Sequence, residues 1–205
     1  MRTESPKIAS QWIVGWLVLL AAVAAPTTAW AHIKSGEAGG FVSGFHHPIS
    51  GWDHVLAMVA VGLWGVQLGA PAIWLLPVAF PMVMAFGGLM GLLDIPLPGV
   101  EIGIALSALV LGLMVLAEKR PPVWIAAVIV GTFAIFHGHA HGTELPPGES
   151  GLLYSAGFVI ATGCLHALGI TIGLIYRWTT GRVIVRLAGA AVAVAGAYFL
   201  FSALA

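Results

Sequence analysis

Six apolar runs, each about long enough to cross a bilayer, fill most of this chain: residues 50–69, 72–93, 100–117, 123–141, 152–178 and 183–203. Their apolar residues do not alternate with polar ones, so the runs read as helices and not as strands of a barrel. Lipid offers the backbone no hydrogen-bond partner, and a helix satisfies its own peptide groups within one segment. Composition agrees with this. Hydrophobic residues make up 60% of the chain and charged residues 8%, whereas a soluble domain carries roughly 25% charged residues. The expected fold is an all-α membrane protein, a six-transmembrane-helix bundle.

Prolines punctuate the connections: Pro71, Pro96, Pro98, Pro121, Pro122, Pro146 and Pro147, as expected of a residue that cannot continue a helix. Pro77 and Pro81 fall inside the second run, where they should kink it and free carbonyls for neighbouring helices to cover. Glycines spaced by four recur as Gly65/Gly69, Gly87/Gly91, Gly99/Gly103 and Gly169/Gly173. Small residues at this spacing let helices approach closely in lipid, so we read them as packing. The single cysteine, Cys164, excludes a disulfide within the chain and reads as a small packing residue.

The N-terminus has the three parts of a secretory signal: basic Arg2 and Lys7, an apolar stretch over 12–25, and the small-x-small pattern Ala29-Trp30-Ala31. Residues 1–31 are therefore expected to be a signal peptide, with cleavage leaving His32 first in a six-helix transmembrane domain over 32–205. A retained short helix is the alternative. Lys119 and Arg120 lie in one loop, and Arg177, Arg182 and Arg186 around another on the same side. Positive loops stay inside, so both mature termini are expected on the outer side of the membrane. Asp94, Glu101, Glu144 and Glu149 fall on the opposite side.

Net charge is zero and no basic run exceeds Lys119-Arg120, which speaks against nucleic acid. There is no GxxxxGK[ST] loop for ATP and no HExxH for a zinc protease. Two histidine clusters remain, at the outer ends of apolar runs. One runs from His46 through His47, Asp53 and His54; the other holds His137, His139, His141 and Glu144. Ionisable groups are costly in hydrocarbon and rarely idle there, and imidazole with carboxylate suits late first-row divalent metals.

Pro48 disfavours a helical His47, so the chain is expected to run extended through His46 and His47 and enter its helix near Ser50 as the cap. Asp53 and His54 then sit in the first turn, with Met58 on the face of His54. The bland reading is that Asp53 only favours a helix N-terminus. In the second cluster a helix puts His137 and His141 on one face with Glu144 beyond; an extended strand would align His137, His139 and His141 instead. His166 lies near mid-membrane in the fifth run, either a packing residue or a second station on a path. Glu101 opens the third run on the outer side. Ligands gathered outside, with few inside, favour uptake over export.

The segments His47-Pro48-Ile49-Ser50-Gly51-Trp52-Asp53-His54, Phe136-His137-Gly138-His139-Ala140-His141-Gly142-Thr143-Glu144 and Gly157-Phe158 through Leu165-His166 resemble the HupE/UreJ permeases. The resemblance implies uptake of nickel, or of cobalt in some members, across a bacterial inner membrane with both mature termini in the periplasm, supplying hydrogenase or urease. It places the family's His-x5-Asp-His motif on His47, Asp53 and His54, and its second motif on His137, His141 and Glu144. The metal ligands expected are thus His47, Asp53, His54, His137, His141 and Glu144. Secondary candidates for the metal or its path are His32, His46, Met58, Glu101, His139 and His166. No prosthetic group is expected; Ni2+ or Co2+ is the cargo, lipid the surroundings, and self-association into a homo-oligomer is left open. The rival readings are an intramembrane metal-dependent hydrolase, built around a zinc with an open position, and a metal receptor that does not transport.

Overall fold

The computed structural model describes residues 37–205, all helices and connections with no strand among them. The expected signal peptide over 1–31 and His32 lie outside the described residues. Seven α-helices follow in order: α1 Glu37–Ser50, α2 Trp52–Leu68, α3 Ala72–Leu92, α4 Val100–Leu116, α5 Val123–Thr143, α6 Gly151–Gly173 and α7 Thr179–Leu204, with a 3-10 turn Leu174–Arg177 joining the last two. Four are long and apolar enough to cross a membrane by themselves: α3, α5, α6 with its 3-10 extension, and α7. The pair α1 and α2 meets that test jointly but bends by 81° at Gly51, and α4 is a shorter apolar helix. The chain is a multi-pass helical membrane protein. Five of the six expected runs match helices to within two or three residues at the start; the last starts earlier, at Thr179.

The departure lies at the start. The chain through His46 and His47 is not extended; it forms α1, whose last turn contains Pro48. Packing outweighs the bias against a helical residue before proline. A Cβ on Gly44 would overlap the backbone of Tyr154, and one on Gly157 would overlap the backbone of Phe41, so α1 and α6 lie backbone to backbone. Nor does Ser50 cap α2. Gly51 holds that position in extended conformation, while the Ser50 hydroxyl donates back to the His47 carbonyl at 2.7 Å.

α2 is the hub. It packs on α3, α4, α6 and α7, and Ala57, Met58, Ala60, Val61, Leu63 and Trp64 are buried along it. α3 and α5 interlock through glycines from both sides: a Cβ at Gly87, Gly91, Gly138 or Gly142 would overlap backbone of the opposite helix. Gly169 sits likewise against Val59, and Gly103 accommodates the Phe136 ring. Gly69 and Gly99 play a different part, ending α2 and starting α4 with positive φ of 78° and 72°, which glycine adopts without steric cost. Cys164 is exposed on α6 and does not pack in the core as expected.

Candidate metal site

The bend at Gly51 and the α3–α5 interlock build one site. The bend turns α1 back so that His47, Asp53 and His54 face a common pocket. A Cβ on Gly51 would lie 2.8 Å from Asp53 Oδ1, so the carboxylate sits where a side chain would have been. The interlock seats the last turns of α5, which stays helical through Thr143 and therefore sets His137 and His141 on one face. Glu144 follows directly as its C-terminal cap residue. The result is a cavity of about 210 Å³ lined by His47, Ser50, Gly51, Asp53, His54, Glu101, Ile104, Ala140, His141 and Glu144.

Imidazoles from three helices converge at this cavity. The rings of His47 and His141 are 4.8 Å apart, those of His141 and His54 are 4.5 Å apart, and those of His54 and His137 are 4.5 Å apart. One ligand atom each from His47, His141 and Glu144 falls within 4.8 Å of the others. His47, at the mouth, is the most exposed of the four. His47 is partly exposed, whereas His54 is 9%, His141 1% and His137 0% exposed.

Hydrogen bonds decide which nitrogens are spoken for. His47 Nε2–H donates to the Glu144 carboxylate at 2.6 Å. That bond holds the Glu144 carboxyl below its ordinary value of 4.5, against a smaller opposing effect of burial. Asp53 Oδ1 accepts from the His54 backbone N–H at 2.9 Å and from ring Nδ1 at 3.2 Å. A carboxylate so placed orients the ring and leaves Nε2 as the ligand atom. His54 Nε2 is buried with no hydrogen-bond partner among the described residues, and so are His137 Nδ1 and both ring nitrogens of His141. Buried polar atoms are nearly always satisfied. Four bare imidazole nitrogens in one place suit a cation that takes nitrogen ligands.

The remaining candidates divide. His139 Nε2–H donates to the Ile95 carbonyl at 2.7 Å, so this ring ties α5 to the α3–α4 loop. His46 is exposed beside Phe45, turned from the cavity, and Met58 packs in the core. Glu101 lines the cavity from α4. His166 lies deeper. Its Nδ1–H donates to the Pro77 carbonyl at 3.2 Å, the group whose helical partner would have been the N–H that Pro81 lacks. The expected covering of a proline-freed carbonyl by a neighbouring helix therefore occurs, and it leaves His166 Nε2 bare and buried. The Phe80 ring stands edge-on to both His137 and His166, at 5.6 and 5.4 Å.

Two contributors escaped sequence reasoning. Phe80 is one apolar residue among many in α3, and only its place between two prolines set it apart. Ser107, buried in α4, contacts His137 Nε2 at 2.8 Å. Its signal was polarity: Glu101 and Ser107 are the only polar side chains in that helix.

The family model for the HupE / UreJ protein matches residues 19–199. The chain belongs to the HupE/UreJ family. It is also 49% identical over 181 residues to Protein HupE of Rhizobium leguminosarum bv. viciae, an alignment that covers 88% of this chain and 94% of that relative. No solved structure matches it. The expected family resemblance is thereby established for a chain whose two histidine motifs, distant in sequence, share one pocket.

Proposed function

We propose that this HupE/UreJ protein is a permease carrying a divalent transition metal, Ni2+ or Co2+, inward across the bacterial inner membrane to supply nickel enzymes such as hydrogenase or urease. The supporting observation is the set His47, His141 and Glu144, whose ligand atoms lie within 4.8 Å of one another and lead inward to the bare nitrogens of His54 and His137. In this reading the membrane is crossed six times, by the bent α1–α2 pair and by α3 to α7, after a cleaved signal peptide. The loops with Lys119 and Arg120 and with Arg177, Arg182 and Arg186 face the cytoplasm, and the cavity opens to the periplasm.

The ion is captured by His47, His141 and Glu144 at the mouth, where breaking the His47–Glu144 hydrogen bond, with the imidazole proton moving to the other ring nitrogen, frees His47 Nε2 and the carboxylate as ligands. It passes to His54, oriented by Asp53, and to His137, with Glu101 adding negative charge at the rim. A rotation of Phe80 then exposes His166 at mid-depth. Each transfer exchanges one imidazole for another of similar strength, so no single position holds the ion too tightly to release it. Conduction demands this balance of binding and release. Ligands must be deprotonated to bind, so capture weakens at low pH.

The test is flux into sealed proteoliposomes loaded with a metal-sensitive dye. Entry of Ni2+ or Co2+ that depends on His54 supports the permease. Metal-dependent product formation without entry would favour the intramembrane hydrolase, and tight binding without entry the receptor.

A further inference from the structure

We propose that Ser107 is a positioning residue that sets the tautomer of His137 so that Nδ1 is the atom offered to the metal. The inference rests on the permease reading and adds a residue that no histidine or carboxylate motif contains.

The argument is a count of hydrogens. Ser107 Oγ lies 2.6 Å from the Ile104 carbonyl and 2.8 Å from His137 Nε2. The hydroxyl has one hydrogen and two lone pairs. A carbonyl only accepts, so two oxygens at 2.6 Å require that hydrogen between them. Ser107 therefore has none left to give His137, and the second contact holds only if His137 Nε2–H donates into a hydroxyl lone pair. Nε2 is then the protonated nitrogen. Nδ1, buried and without a hydrogen-bond partner among the described residues, carries the lone pair. A doubly protonated ring would bury a charge with an unpaired N–H, which hydrocarbon penalises heavily. The neutral ring with a bare Nδ1 is the form this site accommodates.

The neighbour follows the same rule. Asp53 accepts from His54 Nδ1–H and leaves His54 Nε2 bare, and the two rings stand 4.5 Å apart at 88°. His141 differs, because neither of its nitrogens has a partner among the described residues. Thus His54 and His137 have their ligand atom chosen in advance, one by a carboxylate and one by a hydroxyl, while His141 is free to present either nitrogen. Fixing the tautomer of a metal-binding imidazole is a known task of a hydrogen-bonding neighbour, and its loss typically lowers metal affinity about 10- to 100-fold.

The experiment uses the full chain in nanodiscs with 15N-labelled histidine, His137 being assigned by difference against His137→Gln, and Co2+ as the titrant. The wild-type protein should show His137 protonated at Nε2 and bare at Nδ1 before metal is added. Ser107→Ala should weaken Co2+ binding about 10- to 100-fold and lose the single tautomer, whereas Ser107→Thr, which keeps the hydroxyl, should retain both. A residue that only fills space would alter thermal stability and leave tautomer and affinity unchanged. Protonation of wild-type His137 at Nδ1 overturns the proposal even if no variant folds. Wild-type-like Co2+ affinity in Ser107→Ala overturns it alone, whereas no Co2+ binding by the wild-type protein overturns the permease reading as well.

Discussion

At the end of the bundle that carries Lys119 and Arg120, the donors of Trp64, Gln67 and Arg186 are occupied by the backbone and that of Arg120 by a hydroxyl. Trp64 Nε1–H donates to the Lys119 carbonyl at 2.8 Å, and Gln67 donates to the Val115 carbonyl at 3.0 Å. Arg186 donates to the Leu116 carbonyl, and Arg120 donates to the Tyr176 hydroxyl at 2.9 Å. Trp64, Gln67 and Arg186 thereby reach carbonyls at and just beyond the end of α4, where a helix leaves acceptors short of partners. The opposite end is built from equally costly groups and treats them differently: His54, His137 and His141 keep four nitrogens without partners among the described residues. Among the described residues the side-chain donors are tied off at one end, where Gln67 Oε1 alone stays bare, whereas imidazole nitrogens are left open at the other. The difference separates side chains that hold the fold from side chains held by it for another purpose.

The comparison can be broken most severely at the open end. His54→Ala should reduce Ni2+ accumulation in cells to that of cells lacking the protein while protein level stays unchanged; normal accumulation would show that the open nitrogens serve no transport. Asp53→Asn keeps the shape but weakens the acceptor that orients His54, so metal affinity measured by calorimetry should fall about 10- to 100-fold. The helix interlock beneath the site is tested by Gly138→Val, whose side chain would overlap the Met84 backbone. Overpacking costs about 1–3 kcal/mol, and melting temperature and metal affinity should drop together. Arg120→Ala at the tied-off end should cost about 1 kcal/mol or less in stability and leave Ni2+ affinity as it was.

Acid sharpens the same contrast. The Glu144 carboxyl titrates below its ordinary value because His47 bonds to it. A group depressed in this way contributes stability that is present above its unfolded value and lost as pH falls through the folded one. The His47–Glu144 contact should therefore survive to more acid pH than a free glutamate would allow. In Glu144→Gln the corresponding low-pH step in thermal stability should disappear. A step of unchanged size would assign it to another carboxylate.

Much of this was legible in the sequence, for reasons that differ from residue to residue. The helices α3 to α7 declare themselves because apolar runs of roughly twenty residues, bounded by prolines or, between α6 and α7, by arginines, have few alternatives in lipid. Both histidine motifs stood out because charge is rare in the chain. That they meet was not legible, since it depends on the 81° bend at Gly51 and on glycines of α3 and α5 whose partners lie far away in sequence. Helix α1 was missed because Pro48 argues locally against it, and only the close approach of Gly44 and Gly157 to opposing backbone makes it favourable. The three histidines of the second motif look alike in sequence. The structure separates them by partner: Ile95 for His139, Ser107 for His137, and none for His141.

X-ray absorption at the nickel edge of the purified protein, loaded with one equivalent of Ni2+, tests the central claim most directly. The account predicts a first shell containing at least two imidazoles, one of which is lost in His141→Ala. A shell of water and carboxylate oxygens alone, unchanged by that substitution, would contradict it.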